Sequence, residues 1–528
     1  MLRKSLFPNL LAVLVGMGFL VLLEAVLYLV DAGPSNRLFL TSHQDGEVVY
    51  TVNQRVGHRF FQQQYLRPVA EDPSFPQKKT PDAVRIFVLG ASTLLGFPNP
   101  PNTAFPHFLE KMLADVYPHR QFEVINCGMT AINTFCLLDF AAEIVGYEPD
   151  LIIVYAGHNE FVGPYGVTTP FLKFGNDRTW IRLYMELQRS RIYYGLREAI
   201  YRLQKWWSPA EEKFGLHLVD KEIGLLDEGY RVTAKNYREN LGEILLQAQR
   251  REIPVLLSTL VANLKDFYPL RSDCDNGQLA RELDGLVGQG RLQQAIETCK
   301  EALNESPYCA AIHFELGRLY YRQGAYSKAH KAFVYARDMD RLPFRAPTIF
   351  NQTIRKLAAA AAGQVLLSDA EKTFVANSPH GIIGNELITE YLHPTVYGHY
   401  LIARTMVEDL AQSPVSADWG AGAVGKLKNY EDYTRQLGHS AWDRISYRND
   451  LMLFLRKMPY REPPALLRRH VAALVRQQMR DISQLEAAQR RDFVERKGMV
   501  FLARMIDFLL PEDRRAIEEG LKNLADGP

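Results

Sequence analysis

Five apolar runs punctuate the chain, separated by stretches with helical spacing, and few folds can hold such a series. The first, Val84-Arg85-Ile86-Phe87-Val88-Leu89-Gly90, leads into the helical pattern Phe105 to Val116. Phe122 to Asn126 runs toward Gly128 and Leu151 to Tyr155 toward Gly157. Pro254 to Leu260 follows the helix-like Tyr237 to Arg250, and Gln364 to Leu367 closes the series. Runs that are apolar throughout, rather than alternating, belong to strands covered on both faces, which implies an α/β fold on a parallel sheet. Open sheets of this kind bind ligands at the carboxyl ends of their strands, so chemistry is sought there.

Ahead of the series, Leu10 to Val30 is a 21-residue apolar run broken only by Glu24 and preceded by Arg3 and Lys4. It is long enough to cross a bilayer as a helix, and the leading positive charge keeps the N-terminus in the cytoplasm. The expectation is a single-pass anchor over 1–32 in the cytoplasmic membrane, with the rest in the periplasm or outside the cell. A cleaved signal peptide is the other reading. It is disfavoured by the length of the run, since signal cores span about 7 to 15 residues, and by the poor cleavage site Asp31-Ala32-Gly33-Pro34. Residues 33–83, with Pro68, Pro73, Pro76 and Pro81, read as an irregular lead-in.

Two stretches interrupt the strand series. Phe171 to Tyr230 is rich in Arg, Tyr and Trp at helical spacing and reads as a helical insertion at about 165–235. Its aromatics, Trp206-Trp207 among them, fit helix packing or an acyl or glycan pocket. The second stretch repeats with a period of 34: Gln289-Gly290 matches Gln323-Gly324, Ala295 matches Ala329, and Ala302 matches Ala336. The later copy resembles the tetratricopeptide pattern through Leu316, Gly317, Tyr320, Ala329, Phe333 and Ala336. The earlier keeps Ala295, Ala302 and Pro307 but has Cys299 at the aromatic position. Two copies fall short of the three or so that a free solenoid needs, so they must lean on the main domain or flanking helices.

At 528 residues the chain is long enough for two or three folded units. Lys and Arg number 62 against 60 Asp and Glu, and no basic stripe with interleaved aromatics stands out, so nucleic acid is not an expected partner. The Arg468, Arg469 and Arg476 face reads as solvated, or as a contact for anionic lipid. The five cysteines have neither C-x-x-C pairs nor metal-ligand spacing. That excludes a zinc site or a disulfide scaffold and leaves open a single bridge such as Cys127 to Cys136.

Acyl transfer by a serine needs a hydroxyl on a sharp turn, a histidine to take its proton, and donors aimed at the developing oxyanion. Ser92 follows Gly90 at the end of the first run. Gly128 closes the second, where a bare backbone N–H can approach a substrate oxygen. Asn159, in Gly157-His158-Asn159-Glu160, closes the third and can donate its amide. His158 and Glu160 beside it read as structural or pocket residues. Glu390 stands three residues before His393, where a carboxylate can hold an imidazole in the tautomer a general base needs.

Ser92, Gly128, Asn159 and His393, in this order, are where the chain resembles the SGNH (GDSL-like) hydrolase superfamily, over roughly residues 84 to 410 apart from the insertions. Tyr155-Ala156-Gly157-His158-Asn159-Glu160-Phe161 and Leu392-His393-Pro394-Thr395 are similar to phrases of its subgroup with inserted tetratricopeptide repeats. The resemblance implies a flavodoxin-like sheet, Ser92 as nucleophile, His393 as base oriented by Glu390, and an oxyanion hole from the N–H groups of Ser92 and Gly128 with the Asn159 amide. It implies no metal or organic cofactor. Two departures stand out: Glu390 and Glu160 occupy positions where aspartate is common, and the longer Glu390 demands a shifted loop.

The expected organisation is therefore an anchor at 1–32, a lead-in at 33–83, a hydrolase domain at 84–275 resumed at 343–412, repeats at 276–342 and a helical region at 413–528. Its leading function is an extracytoplasmic esterase or acyl hydrolase taking a small ester or acylated glycan. The same residues serve an O-acyltransferase or deacetylase on an envelope polysaccharide. A third reading is a scaffold that binds a protein partner through its repeats.

Overall fold

The computed structural model describes residues 3–61, 73–169, 177–207, 221–274, 277–361, 363–459, 464–483, 485, 505 and 507–526. Among them stands a five-stranded parallel sheet, formed by β4 (Ala83–Gly90), β5 (Gln121–Asn126), β6 (Leu151–Tyr155), β7 (Val255–Ser258) and β8 (Val365–Ser368). A smaller antiparallel sheet precedes it in the chain: β1 (Phe39–Gln44), β2 (Glu47–Val52) and β3 (Ser74–Pro76). The parallel sheet runs β5-β4-β6-β7-β8, with Val88 opposite Asn126 and Gly90 opposite Tyr155. All eight residues of β4 are buried, as a central strand covered on both faces requires.

The chain leaves β4 toward β5 and then steps back across it to β6. Right-handed crossovers on that path place the helices Phe105–Val116 and Thr134–Ile144 on opposite faces of the sheet. The reversal falls at the carboxyl end of β4, the kind of place where doubly wound sheets hold ligands. The helix Val396–Ala411 packs against Phe105–Val116, and Glu228–Gln249 packs against Thr134–Ile144.

The irregular lead-in expected for 33–83 needs correction. Its described residues form the β1–β2–β3 ribbon, which an aromatic cluster fastens to the main sheet: Phe39 meets Phe75 at 5.0 Å and Phe87 at 5.9 Å between ring centroids. Arg85, fully buried in β4, is the second fastening. Its guanidinium donates to Glu123 at 2.6 Å and to the carbonyls of Tyr147 and Pro76 at 2.9 Å, and lies over the Phe75 ring. These partners lie far apart in sequence, so the run of prolines reads locally as loop. Pro68 lies outside the described residues.

The insertion contains the helices Arg178–Gln188 and Arg191–Trp207, its stretches 170–176 and 208–220 lying outside the described residues. The repeats form two helical hairpins, Gly277–Gly288 with Leu292–Glu305 and Ala310–Arg322 with Tyr326–Asp338. Gly290 and Gly324 make the matching turns at φ of 75° and 79°. Phe314, Ala329 and Phe333 share a buried cluster with Leu264 and Ile382, so the repeats do lean on the main domain. The cysteine expectation also needs correction: Cys127 and Cys136 are buried and free, and the bridge joins Cys274 to Cys309, whose Cα atoms lie 5.7 Å apart once the repeats fold back.

Beyond Ala411, the helices Ala441–Arg456 and Ala465–Ser483 form a second core with Tyr391, Leu392 and Phe344. Leu466 to Gln478 lies on the latter helix, while half of Phe501 to Leu510 lies outside the described residues. At the other end, Arg3–Leu29 is one helix, and its part Asn9–Leu29 is exposed and long and apolar enough to cross a membrane, a description a signal sequence also meets.

Candidate active site

Strand β4 stops at Gly90, where a side chain has no room: a Cβ there would lie 2.5 Å from the Tyr155 carbonyl oxygen. The chain turns at once, and the Ser92 carbonyl accepts from Leu95 N at 3.1 Å and Phe97 N at 3.3 Å, which fixes the turn. The Ser92 hydroxyl, half-buried at the strand end, meets His393 Nε2 at 2.8 Å across 301 residues of sequence.

His393 belongs to a tightly tied loop. Thr389 N and Oγ1 donate to the His393 carbonyl at 2.8 and 2.9 Å, Asn99 donates to the Pro394 carbonyl at 2.9 Å, and Thr395 caps the helix that follows. Glu390 is fully buried, and its Oε1 faces His393 Nδ1 while accepting from His393 N at 3.0 Å. The backbone N–H of Tyr391 also donates to this carboxylate. The loop thus absorbs the extra methylene by curling the side chain back onto its own backbone. An imidazole whose Nδ1 faces a buried carboxylate and whose Nε2 meets a hydroxyl can take the hydroxyl proton as the oxygen attacks, the carboxylate holding its tautomer and stabilising the imidazolium.

Gly128 lies against the Ser92 turn. A Cβ there would come 2.6 Å from Leu94 Cβ and 3.2 Å from the Ala91 carbonyl oxygen, so glycine is required. Its N–H donates to Asn126 Oδ1 at 2.9 Å, and Asn126 Nδ2 donates to the Leu94 carbonyl at 2.6 Å, tying the two loops together. Asn159 is buried and gives one amide hydrogen to the Ile132 carbonyl at 3.0 Å.

At the level of families and solved structures, the likenesses are partial. Residues 286–334 match the tetratricopeptide repeat family. No curated protein matches the chain as a relative. Two mutant forms of an acetylxylan esterase from Geobacillus stearothermophilus are similar at 11% identity with a TM-score of 0.28. They cover 62% and 63% of this chain, and 94% and 96% of their own.

The matched tetratricopeptide segment ends before the helix Thr348–Ala360 and is remote in sequence from Ser92 and His393. What surrounds those two residues comes from elsewhere. The Phe97 ring stands edge-on to the His393 imidazole at 4.9 Å, and Phe454, from the C-terminal helix Ala441–Arg456, lies 5.4 Å from Phe97 and 6.3 Å from His393. Sequence reasoning missed Phe454 because nothing local marks it. Asn126, two residues before Gly128 at a strand end, carried a readable signal that the motif left aside.

His158 and Glu160 make their hydrogen bonds to groups other than the hydroxyl. His158 Nδ1 accepts from Ala346 N at 3.1 Å, so the neutral ring carries its proton on Nε2. Burial, with the nearby His393 and Arg337 adding to it, pushes its pKa down to about 3. Glu160 accepts from Thr134 N at 2.9 Å and Thr134 Oγ1 at 2.6 Å, and burial pushes its carboxyl up to about 7 against those two hydrogen bonds. Among the described residues, no group of three or more His, Cys, Asp and Glu is placed to hold a metal ion.

Proposed function

We propose that the chain is a membrane-anchored serine esterase of the SGNH type, working through an acyl-serine on a flavodoxin-like sheet. The observation that carries this reading is the contact of Ser92 Oγ with His393 Nε2 at 2.8 Å, backed by buried Glu390. The strand order, 2-1-3-4-5 counted from β4, is the one such sheets use. Ser92 Oγ attacks the acyl carbonyl carbon and its proton passes to His393 Nε2. The carbonyl oxygen becomes an oxyanion facing the N–H groups of Ser92 and Gly128 and the Asn159 amide, the Gly128 N–H sharing or leaving Asn126 Oδ1. Collapse expels the alcohol, which takes the proton from His393. Water, activated by the same imidazole, then releases the acid and restores Ser92.

The substrate class is a small ester or acylated glycan, and the compartment is extracytoplasmic, where the Cys274–Cys309 bridge forms readily. Retention of the anchor is supported by its bonds to the folded domain: Arg191 donates to the carbonyls of Leu27 and Ala32 at 2.9 and 2.8 Å. An O-acyltransferase shares every step as far as the acyl-serine. The aromatic pair Phe97 and Phe454 beside His393 favours it by limiting water, and release of acid against transfer to an added sugar hydroxyl separates the two. The tetratricopeptide hairpins are the surface for a protein partner.

Treating the full chain in detergent with a fluorophosphonate probe tests the reading. The expected result is one modified peptide carrying Ser92, absent from Ser92→Ala, and an untouched serine in folded protein would overturn it. On an ester substrate, Ser92→Ala and His393→Ala lower kcat by on the order of 10⁶, and Glu390→Ala by on the order of 10⁴.

A further inference from the structure

The helix Arg191–Trp207 carries an apolar stripe on the wrong side for a water-soluble domain. Leu196, Ile200, Leu203, Trp206 and Trp207 recur at the three- and four-residue spacing of one helix face. They are exposed, the two tryptophans retaining 78% and 80% of their surface. The neighbouring helix Arg178–Gln188 buries Ile181 and Met185 against the core yet also exposes Trp180 and Leu183. Large apolar side chains exposed at helical spacing on one face, with two more on the neighbouring helix, mark an interaction site rather than ordinary surface scatter.

What covers the stripe is indicated by how the helix begins. Glu24, the one charge inside the apolar run of the anchor, accepts from Arg191 N at 2.6 Å, Ile192 N at 3.0 Å and Ser190 Oγ at 2.8 Å. Arg191 in turn donates to Asp31 at 2.7 Å and lies over the Tyr28 ring at 5.0 Å. The carboxylate thus closes the amino end of a second helix, which accounts for a charge in a segment otherwise built to exclude them. Glu24 precedes the end of the span, Leu29, by five residues, or about 8 Å along the helix axis. Amphipathic helices settle at that depth, about 5–10 Å into the boundary between headgroups and acyl chains. Arg197 and Arg202 against Glu198 leave the described side chains of the helix basic, suited to anionic headgroups, and its tryptophan pair is the residue type enriched at that boundary.

We propose that Arg191–Trp207 lies in the membrane interface, its apolar stripe in lipid, so that the anchor and this helix together fix the catalytic domain against the bilayer surface. The inference rests on the anchor reading made above, and its test separates the two. Single cysteines at Leu203 on the stripe, Arg202 on the polar side and Val15 in the anchor carry nitroxide labels in the full chain, reconstituted in nanodiscs containing anionic lipid. The free cysteines Cys127, Cys136 and Cys299 are buried in the folded protein.

The expected result is that the label at Leu203 is broadened by oxygen and loses broadening by a water-soluble nickel chelate, while Arg202 shows the reverse. If Leu203 responds to nickel as Arg202 does while Val15 stays protected, the interfacial helix is overturned and the anchor stands. Nickel access at Val15 overturns both. A label at Leu203 shielded from both reagents means that protein covers the stripe, and overturns lipid as the occupant.

Discussion

At the scale of single residues, the loop 388–395 shows how a glutamate can reach an imidazole three residues further along the chain. Glu390 reaches His393 Nδ1 and the His393 N–H with the same oxygen, so the loop backbone is part of the constellation rather than a passive support. Glu160 shows the opposite arrangement, a carboxyl kept from water and held at a pKa of about 7. The folded state binds its proton more tightly than an unfolded chain, whose glutamates titrate near about 4.3. Its contribution to stability is therefore full below about 4.3 and lost as pH rises through about 7. Glu160→Gln keeps an acceptor for Thr134 N and removes the titration. Relative to the wild type, this variant gains about 3 kcal/mol of unfolding free energy between pH 4 and 8, measured by denaturant titration at each pH. A constant difference between the two proteins would show that Glu160 titrates normally.

At the scale of elements, a strand that is buried on both faces can be read from sequence to within a few residues, and a ribbon cannot. Strand β6 is Leu151–Tyr155 in the sequence pattern and in the fold, and the helix Phe105–Val116 is likewise legible at both ends. The β1–β2–β3 ribbon is not legible, because short strands with one exposed face owe their place to Phe87, Arg85 and Glu143 elsewhere in the chain. Glu143, for example, accepts from Leu38 N at 2.7 Å and Phe39 N at 3.1 Å. The helix Ala441–Arg456 matters at this scale because it brings Phe454 to Phe97 and His393. Phe454→Ala removes an aromatic contact worth about 0.5–1.5 kcal/mol. It is expected to lower kcat/KM about two- to tenfold with the circular dichroism spectrum unchanged. Full activity with a folded spectrum would make the C-terminal region a bystander to catalysis.

At the scale of the whole molecule, three attachments hold distant parts in one body: the aromatic ribbon cluster, the second core around Tyr391 and Leu392, and the bridge between Cys274 and Cys309. The bridge ties the segment leading into the repeats to the helix that opens the second hairpin. Alkylation of the denatured protein without reductant is expected to modify three cysteines, and five after reduction. Five before reduction, in protein taken from its own compartment, would remove the bridge and with it one support for an extracytoplasmic location.

The sequence by itself determined what depends on spacing along the chain: the parallel strands, the 34-residue repeat with its glycine turns, the apolar helix at the N-terminus, and which strand ends carry Ser92, Gly128 and Asn159. Those features follow from periodicity and from backbone conformations that only certain residues adopt, and both are local. The tertiary structure decided what depends on partners far away in the chain. It set which cysteines pair, why Arg85 is buried in a strand, what Glu24 holds, and which ring lies beside His393. A side chain records its own chemistry in the sequence, but the identity of the group it meets is written only when the chain folds back on itself.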